Sequence, residues 1–235
     1  IGGEIELVNA GRAVGVARLN KATGELDEDF FPDLTDGGLG RIASIRIYDG
    51  YLYIAGYGLS YGENDNIYLS RINLSTGMVD EDFTLSDGDF EVYSLAASGD
   101  WLYLGGAGGY PLRRVRIAGE GIGEVDDTFE AFPDIYDLYV SSLLVHDNYL
   151  YASGGGDEAA TYFRVNLDTG TLDEDFTREF DGWMGALLVQ DNYLYVGGEF
   201  TMDEESLSLF RVSLVDNEID TGFNYPFNAF VGALA

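Results

Sequence analysis

The sequence lacks or is poor in several residue types, and each shortage excludes a class of protein. It has no cysteine among its 235 residues, so no disulfide framework holds the fold together. Lysine and arginine number only 12 against 42 aspartate and glutamate residues, and the net charge of -30 repels nucleic acid. No apolar run approaches the roughly 18 residues that a membrane helix needs. We therefore predict no nucleic-acid partner and no insertion into a membrane.

The residues that are abundant favour a globular protein built from strands. Hydrophobic residues make up 46% of the chain, which includes 17 tyrosines, 14 phenylalanines and 32 glycines. This supplies ample material for a core. No segment shows the sustained periodicity of an amphipathic helix, so we predict an all-β fold.

A short acidic motif that ends in phenylalanine recurs five times along the chain. Successive copies lie 46 to 53 residues apart, a spacing that indicates a repeat architecture. The copies are LDEDF ending at Phe30, VDEDF at Phe83, VDDTF at Phe129, LDEDF at Phe176 and IDTGF at Phe223.

Two further motifs occur in register with the acidic one. An arginine-containing string precedes each acidic motif, and its arginines are Arg18, Arg71, Arg116, Arg164 and Arg211. An aromatic string such as YLYVGG follows a turn pair in four places, and the pairs are Asp49-Gly50, Gly99-Asp100, Asp147-Asn148 and Asp191-Asn192. These pairs tolerate the positive φ of a tight turn and predict a β-hairpin. We expect the arginine string and the acidic motif to add two more strands.

Four short antiparallel strands per repeat are typical of a β-propeller blade. We predict one domain, residues 1–235, folded as a five-bladed β-propeller of four-stranded antiparallel blades. Residues 1–4 align with residues 196–199, and residues 231–235 align with residues 42–46. We therefore expect the N- and C-terminal strands to pair and close the ring, which removes exposed sheet edges. The alternative is that these residues are a slice of a longer array.

The three motifs in register resemble the delta-sixty repeat, a propeller-type family of unknown function in large secreted and surface proteins of bacteria. The strings YLYVGGEF from Tyr193, FRVNL from Phe163 and TLDEDF from Thr171 carry the resemblance, which covers nearly the whole chain. It departs from the pattern at IDTGF and at VRIA from Val115. The resemblance implies a propeller outside the cytoplasm and carries over no catalytic residue. Five-bladed tachylectin-type lectins are similar in length and repeat size, but their blade motifs do not match.

The repeated charged residues favour a structural role over ligand binding. A repeated aspartate suits a metal ion, but it also caps a turn by accepting a backbone N–H two or three residues on. We expect the repeated arginine to form an ion pair with a neighbouring acidic strand, and the Tyr-Leu-Tyr strings to pack between blades. The aspartates are Asp27, Asp80, Asp126, Asp173 and Asp220.

One position of the repeat differs in every copy, and it is our candidate ligand-binding site. It lies at the start of the first strand, which in a propeller is the strand nearest the axis. Aromatic rings beside one cation and one carboxylate suit a sugar or a peptide group. Unselected variation at a strand end is the alternative. The residues are Arg41, Glu91, Tyr139, Trp183 and Phe230.

An insertion at residues 57–66 carries a cluster of oxygen ligands. Glu63 and Asp65 are the candidate metal ligands, because hard cations such as calcium prefer carboxylates. No EF-hand-type loop is present, and a solvated polar loop is the alternative. Calcium is the one cofactor that the sequence suggests.

The sequence holds no recognisable catalytic constellation, and we predict that the protein is not an enzyme. Our leading hypothesis is an extracellular structural or adhesive module of a larger surface, filament or appendage assembly. Its partners would be a protein or glycan ligand, further copies of itself or fused domains. A carbohydrate-binding lectin is the second hypothesis. The third is a polysaccharide-active glycosidase or lyase, for which the candidate acids are Glu91, Asp89, Asp137 and Asp181.

Overall fold

The structure, a computed structural model, is built from antiparallel β-strands. The residues that it describes are 6–7, 12–13, 16–30, 32, 41–61, 64–83, 85–86, 90–108, 111–129, 131–132, 137–156, 159–202, 205–225 and 229–235. They form strands, turns and two short 3-10 turns, with no α-helix among them. In these ranges no helix is long and apolar enough to cross a membrane. The predicted all-β class is confirmed.

The chain divides into two compact units, of which the first comprises Ile1–Leu102 and Val115–Val125. Its strands are β1 (Glu6–Leu7), β2 (Arg12–Ala13), β3 (Arg41–Tyr48), β4 (Tyr51–Tyr61), β5 (Asn64–Asn73), β6 (Leu85–Ser86) and β7 (Glu91–Ser98). The pair β1-β2 forms a ribbon, and the order β3-β4-β5-β6 forms an antiparallel sheet. The next strands are β8 (Trp101–Ala107) and β9 (Leu112–Arg116), which give a third sheet of order β7-β8-β9.

The second unit comprises Tyr103–Arg114 and Asp126–Ala235. Its further strands are β10 (Tyr139–His146), β11 (Tyr149–Gly155), β12 (Ala160–Asn166), β13 (Thr171–Leu172), β14 (Arg178–Gln190), β15 (Tyr193–Met202), β16 (Glu205–Ser213) and β17 (Ile219–Tyr225). They form one antiparallel sheet of order β10-β11-β12-β14-β15-β16-β17, with β13 beside β12. The sheet is continuous because residues 178–180 of β14 pair with β12, whereas residues 181–190 pair with β15.

The predicted turn pairs all lie at hairpin turns. They connect β3 to β4, β7 to β8, β10 to β11 and β14 to β15. The first residue of each pair has a positive φ, from 44° at Asp49 to 55° at Gly99. Three of these hairpins also carry a bulge at the same point, directly after Ile42, Val140 and Met184. The shared register supports the sequence alignment of these strands as copies of one hairpin.

In the first four repeats only the first residue of the acidic motif pairs with the arginine string, and the rest of the motif is a turn, so the expected strand is wrong for most of its length there. The fifth motif lies in β17 and forms the expected strand. The aspartate bends the chain because its Oδ1 accepts the backbone N–H two residues on, as in the 3.2 Å bond from Asp82 to Asp80. The same bond occurs at Asp27, Asp126 and Asp220, so the capping role is confirmed at four of the five aspartates. The fourth strand follows the motif instead, since β6 pairs with β5 and the start of β14 pairs with β12.

The repeated arginine forms an ion pair with the aspartate of its own repeat. Its Nε lies 2.7–2.9 Å from the aspartate Oδ2, and its guanidinium lies 4.1–4.7 Å from the centre of the phenylalanine ring. In four repeats this phenylalanine also meets a tyrosine of the aromatic string edge-on, at 5.4–5.8 Å. The cluster fixes the turn to the hairpin. Its arginines are Arg18, Arg71, Arg114, Arg164 and Arg211.

The ion-pairing arginine of the third repeat is therefore Arg114, which corrects our assignment of Arg116. Arg114 lies 12 residues before Asp126, whereas the other pairs are 9 residues apart. The longer turn shifts the sequence alignment by two residues. Arg116 lies over the ring of Trp101 instead, at 4.3 Å.

The arginines also link consecutive repeats within each unit. In each link the Nη1 of the arginine donates to a carbonyl at the end of the following arginine string, so one side chain holds two repeats together. The donor and acceptor pairs are Arg18 to Leu74 (2.7 Å), Arg71 to Ile117 (3.4 Å) and, in the second unit, Arg164 to Leu214 (3.3 Å).

The predicted strand at residues 231–235 is not formed. The N–H of Val231 donates to Gly198 O of β15 at 3.1 Å, and the ring of Phe230 lies 6.0 Å from that of Trp183 in β14. The last residues thus contact the hairpin of β14 and β15, but residues 231–235 form no strand. The partner expected for this strand, residues 1–4, lies outside the described residues. The closing of a ring by the two chain ends stays a prediction.

Candidate ligand-binding site

The repeated carboxylates are occupied by contacts within the fold. The hydrogen bond from Arg18 holds the pKa of Asp27 below its ordinary value, and Arg211 does the same for Asp220. Burial raises the pKa of Asp126, but hydrogen bonds from Thr128 and Arg114 outweigh burial and lower it. These aspartates are structural anions, so a ligand site is expected where the repeats differ.

The structure brings three of the five predicted site residues together in the second unit. The ring of Trp183 lies 5.2 Å from that of Tyr139 and 6.0 Å from that of Phe230, at interplanar angles of 48° and 65°. Trp183 is 53% exposed and Phe230 is 42% exposed. The three rings form an aromatic row with the indole in the middle and open to solvent.

The other two predicted site residues belong to the first unit. Arg41 begins β3, where its backbone pairs with Tyr57, and its side chain lies outside the described part of the structure. Glu91 begins β7 and is exposed, and its Oε2 accepts a 2.8 Å hydrogen bond from the hydroxyl of Tyr93. A single ring formed by all five residues stays a prediction.

Trp183 lies within a polar face that spans three strands. In β14 and β15, Asp181 is paired with Thr201, and Trp183 is paired with Glu199. Thr201 is paired in turn with Ser206 of β16. Residues directly opposite each other share a face of the sheet, as do residues two apart on one strand. We call the set Asp181, Trp183, Glu199, Thr201 and Ser206 the Trp183 face.

Gly182 shapes the strand at the point where β14 leaves β12 for β15. Its φ is 121°, which an L-residue with a side chain rarely adopts. A Cβ there would lie 2.7 Å from the Cα of Phe200, so the two backbones approach too closely for any other residue. This close approach sets Asp181 and Trp183 beside their partners on β15.

The Trp183 face lines a cavity of about 380 Å³. Two carboxylates, two hydroxyls and the indole project into it, and no arginine or lysine is among the lining residues that the structure describes. The carboxylates accept hydrogen bonds, the hydroxyls donate and accept, and the indole offers a π face. The chemistry of such a surface suits a small polar ligand that has an apolar side.

Sequence reasoning found Trp183 but missed Glu199, Thr201 and Ser206. Counting outward from the turn at Asp191-Asn192 places Trp183 opposite Phe200. The bulge after Met184 shifts the pairing by one residue, so Glu199 is the true partner. The bulge recurs at the same position in three hairpins, but we found no residue pattern in this sequence that predicts it.

The predicted metal ligands lie outside what the structure describes. Glu63 is not among the described residues, and Asp65 is described only as part of β5, without its side chain. Within the described ranges, no group of three or more metal-ligating side chains is found. Calcium binding at Glu63 and Asp65 stays a prediction.

Comparisons with known proteins bear on the fold alone. No protein-family model matches the chain, and no curated protein matches it. Among solved structures, the chain is similar to hydrazine synthase of Kuenenia stuttgartiensis, with a TM-score of 0.53 and 11% identity. The similarity covers 77% of this chain and 53% of that one, so the match spans about half of the solved chain. At this identity the similarity carries no activity across.

Proposed function

We propose that the chain is a non-enzymatic, extracellular binding module with the fold of a five-bladed β-propeller of the delta-sixty type. It serves as a structural or adhesive part of a larger surface, filament or appendage assembly. The recurring hairpins and the arginine links between successive repeats support the propeller. The acidic surface keeps such a module from associating with other anionic surfaces.

One observation carries the binding role: an indole that is 53% exposed in the middle of an aromatic row. Large aromatic side chains bury 150–250 Å² each in cores and interfaces, so leaving tryptophan open to water forgoes a large stabilisation. The repeated tyrosines and phenylalanines of the same hairpins are buried or packed in the clusters described above. This exposure supports the proposal that Trp183 contacts a ligand.

The non-enzymatic character is supported by what the acids do. Each repeated aspartate is bound to its own arginine within 2.6–2.8 Å. The pKa values of Asp27, Asp126 and Asp220 are lowered by hydrogen bonds, so these three carboxylates are poor general acids. Two of the acids considered for glycosidase chemistry are described with their surroundings. Glu91 accepts a hydrogen bond from the hydroxyl of Tyr93, and Asp181 lies in the Trp183 face. We expect no release of reducing ends when the chain is incubated with a polysaccharide panel.

The experiment that tests the binding role is adsorption of the purified chain to an array of glycans and extracellular proteins. We expect Trp183→Ala to lose at least 90% of the signal with an unchanged unfolding midpoint. Trp101→Phe is the matched control, because Trp101 lies under Arg116 and is not one of the residues of the Trp183 face, and it should bind as the unchanged chain does. Equal binding by Trp183→Ala would refute the role of this face.

A further inference from the structure

We infer that the Trp183 face binds one pyranose ring of a glycan that carries no negative charge. The inference rests on the proposed function, because it names the ligand class of the same site. It follows from the indole, from the polar groups around it and from the charge of the lining.

The indole is held in place before a ligand arrives. Tyr139 packs against it at 5.2 Å and Phe230 at 6.0 Å, while half of its surface stays open. A side chain that is already ordered loses little entropy on binding. The negative π face attracts the polarised C–H groups on the apolar side of a sugar ring, as it attracts the positive edge of another aromatic ring.

The polar groups beside the indole match sugar hydroxyls. Asp181 and Glu199 are acceptors, and hydrogen bonds from neutral donors to ionised acceptors are stronger than those between neutral groups. Thr201 and Ser206 both donate and accept. A sugar hydroxyl also does both, so it can bond to either kind of group. The cavity of about 380 Å³ falls in the range of small-ligand sites.

The charge of the site selects among glycans. Two carboxylates lie in the lining, the described lining holds no cation, and the whole chain carries -30. Uronates and sulfated sugars are therefore repelled. An organic cation is the rival ligand, since it also suits indole and carboxylate. We favour the sugar because Thr201 and Ser206 can donate, and an ammonium group offers no acceptor for them.

The chain offers a direct optical test, because it contains only two tryptophans. In Trp101→Phe the sole tryptophan is Trp183, and its fluorescence reports on the site. The probes are neutral oligosaccharides of glucose, mannose and N-acetylglucosamine, oligogalacturonate, and tetramethylammonium. We expect a saturable change with at least one neutral oligosaccharide and none with oligogalacturonate. The Kd of the neutral oligosaccharide should change less than twofold between 0.05 and 0.5 M KCl.

Glu199→Gln, made in the Trp101→Phe background, should raise that Kd at least threefold, because a charged acceptor becomes a neutral amide. Glu218→Gln is the matched control, since it removes one exposed carboxylate of the same unit outside the cavity, and its Kd should be unchanged. Equal Kd values for the two variants would overturn the role of Glu199 and with it the inference.

Two outcomes of the titration would overturn the sugar while leaving the proposed function intact. One is a fluorescence change with tetramethylammonium alone that disappears in 0.5 M KCl, which would identify a cation site. The other is no change with any probe while the array shows Trp183-dependent binding to its proteins and to none of its glycans, which would identify a protein ligand.

Discussion

At the scale of the single residue, four of the five repeated aspartates bind two partners, one with each carboxylate oxygen. In the second repeat, Oδ1 of Asp80 accepts the turn N–H of Asp82, and Oδ2 binds Arg71. The guanidinium is itself held between the rings of Tyr51 and Phe83, at 4.3 and 4.5 Å. The carboxylate thus joins a turn, a strand and two rings, which explains why the same residues recur in every repeat.

The contribution of this ion pair to the free energy of unfolding depends on its burial. The Arg71 side chain is 7% exposed, whereas that of Arg18 in the first repeat is 39% exposed. We expect Asp80→Asn to lower the free energy of unfolding by roughly 2 to 3 kcal/mol, because it leaves a buried guanidinium without its counterion. Asp27→Asn makes the same change at a more exposed pair and should cost much less. Urea unfolding of both variants measures the difference, and equal losses would contradict the structural role of burial.

The lowered pKa of Asp126 predicts how its contribution varies with pH. Hydrogen bonds from Thr128 and Arg114 outweigh burial and set the folded pKa below the unfolded value of about 3.9. The stabilisation is therefore complete above the unfolded pKa and is lost as the pH falls through the folded pKa. We expect the unchanged chain to exceed Asp126→Asn in stability at pH 7, and the gap to shrink below about pH 4. A gap that stayed constant down to pH 2 would show that the carboxylate charge is not involved.

At the scale of the element, β14 is the strand that creates the candidate site. It has 13 residues, against 8 in β3, β7 and β10, because it pairs first with β12 and then with β15. The transfer occurs next to Gly182, directly before Trp183. The site thus lies where one strand passes from one repeat to the next.

Replacing Gly182 tests this geometry. We expect Gly182→Ala to lower the free energy of unfolding by more than about 2 kcal/mol, because the new Cβ meets the Phe200 backbone and φ is strained. Gly170→Ala is the control: its φ is 67°, but nothing lies within 4 Å of the added Cβ. It should cost about 1 kcal/mol, the strain of the left-handed region alone. Denaturant midpoints compare the two, and equal losses would remove the close approach from the explanation.

The sequence was sufficient for the features that local chemistry determines. Turn pairs such as Asp49-Gly50 and caps such as Asp80 act within a few residues, and their roles were predicted correctly. The sequence was insufficient wherever the pairing register of the strands determines which side chains meet. The longer turn before Asp126 moved the ion pair from Arg116 to Arg114, and the bulge after Met184 moved the partner of Trp183 from Phe200 to Glu199. Three extra residues in that turn and one at the bulge change which side chains meet, and composition does not reveal them.

At the scale of the whole molecule, the net charge of -30 opposes folding through self-repulsion. Only 12 cations are available, and five of them are the arginines that pair with the repeated aspartates. These pairs are partly buried and weakly screened, whereas repulsion between exposed carboxylates is screened by salt. Added salt should therefore relieve the repulsion more than it weakens the pairs.

Thermal unfolding in different salts measures this balance. We expect molar KCl to raise the Tm above its value in low salt. Calcium binding at Glu63 and Asp65 predicts that millimolar calcium, at constant ionic strength, raises the Tm further. A chelator should reverse that rise. A Tm that fell with KCl would contradict the screening argument, and equal Tm values with calcium and with chelator would refute the calcium site.

The claim that repeated residues hold the fold while the Trp183 face binds the ligand is tested most directly by amide hydrogen exchange. The exchange is measured with and without the ligand that the chain adsorbs to most strongly on the array. We predict added protection at residues 181–183 and 199–201 and none at the repeated turns, residues 80–83, 126–129 and 173–176. Protection of the repeated turns without protection around Trp183 would contradict the claim and place the ligand on the repeats.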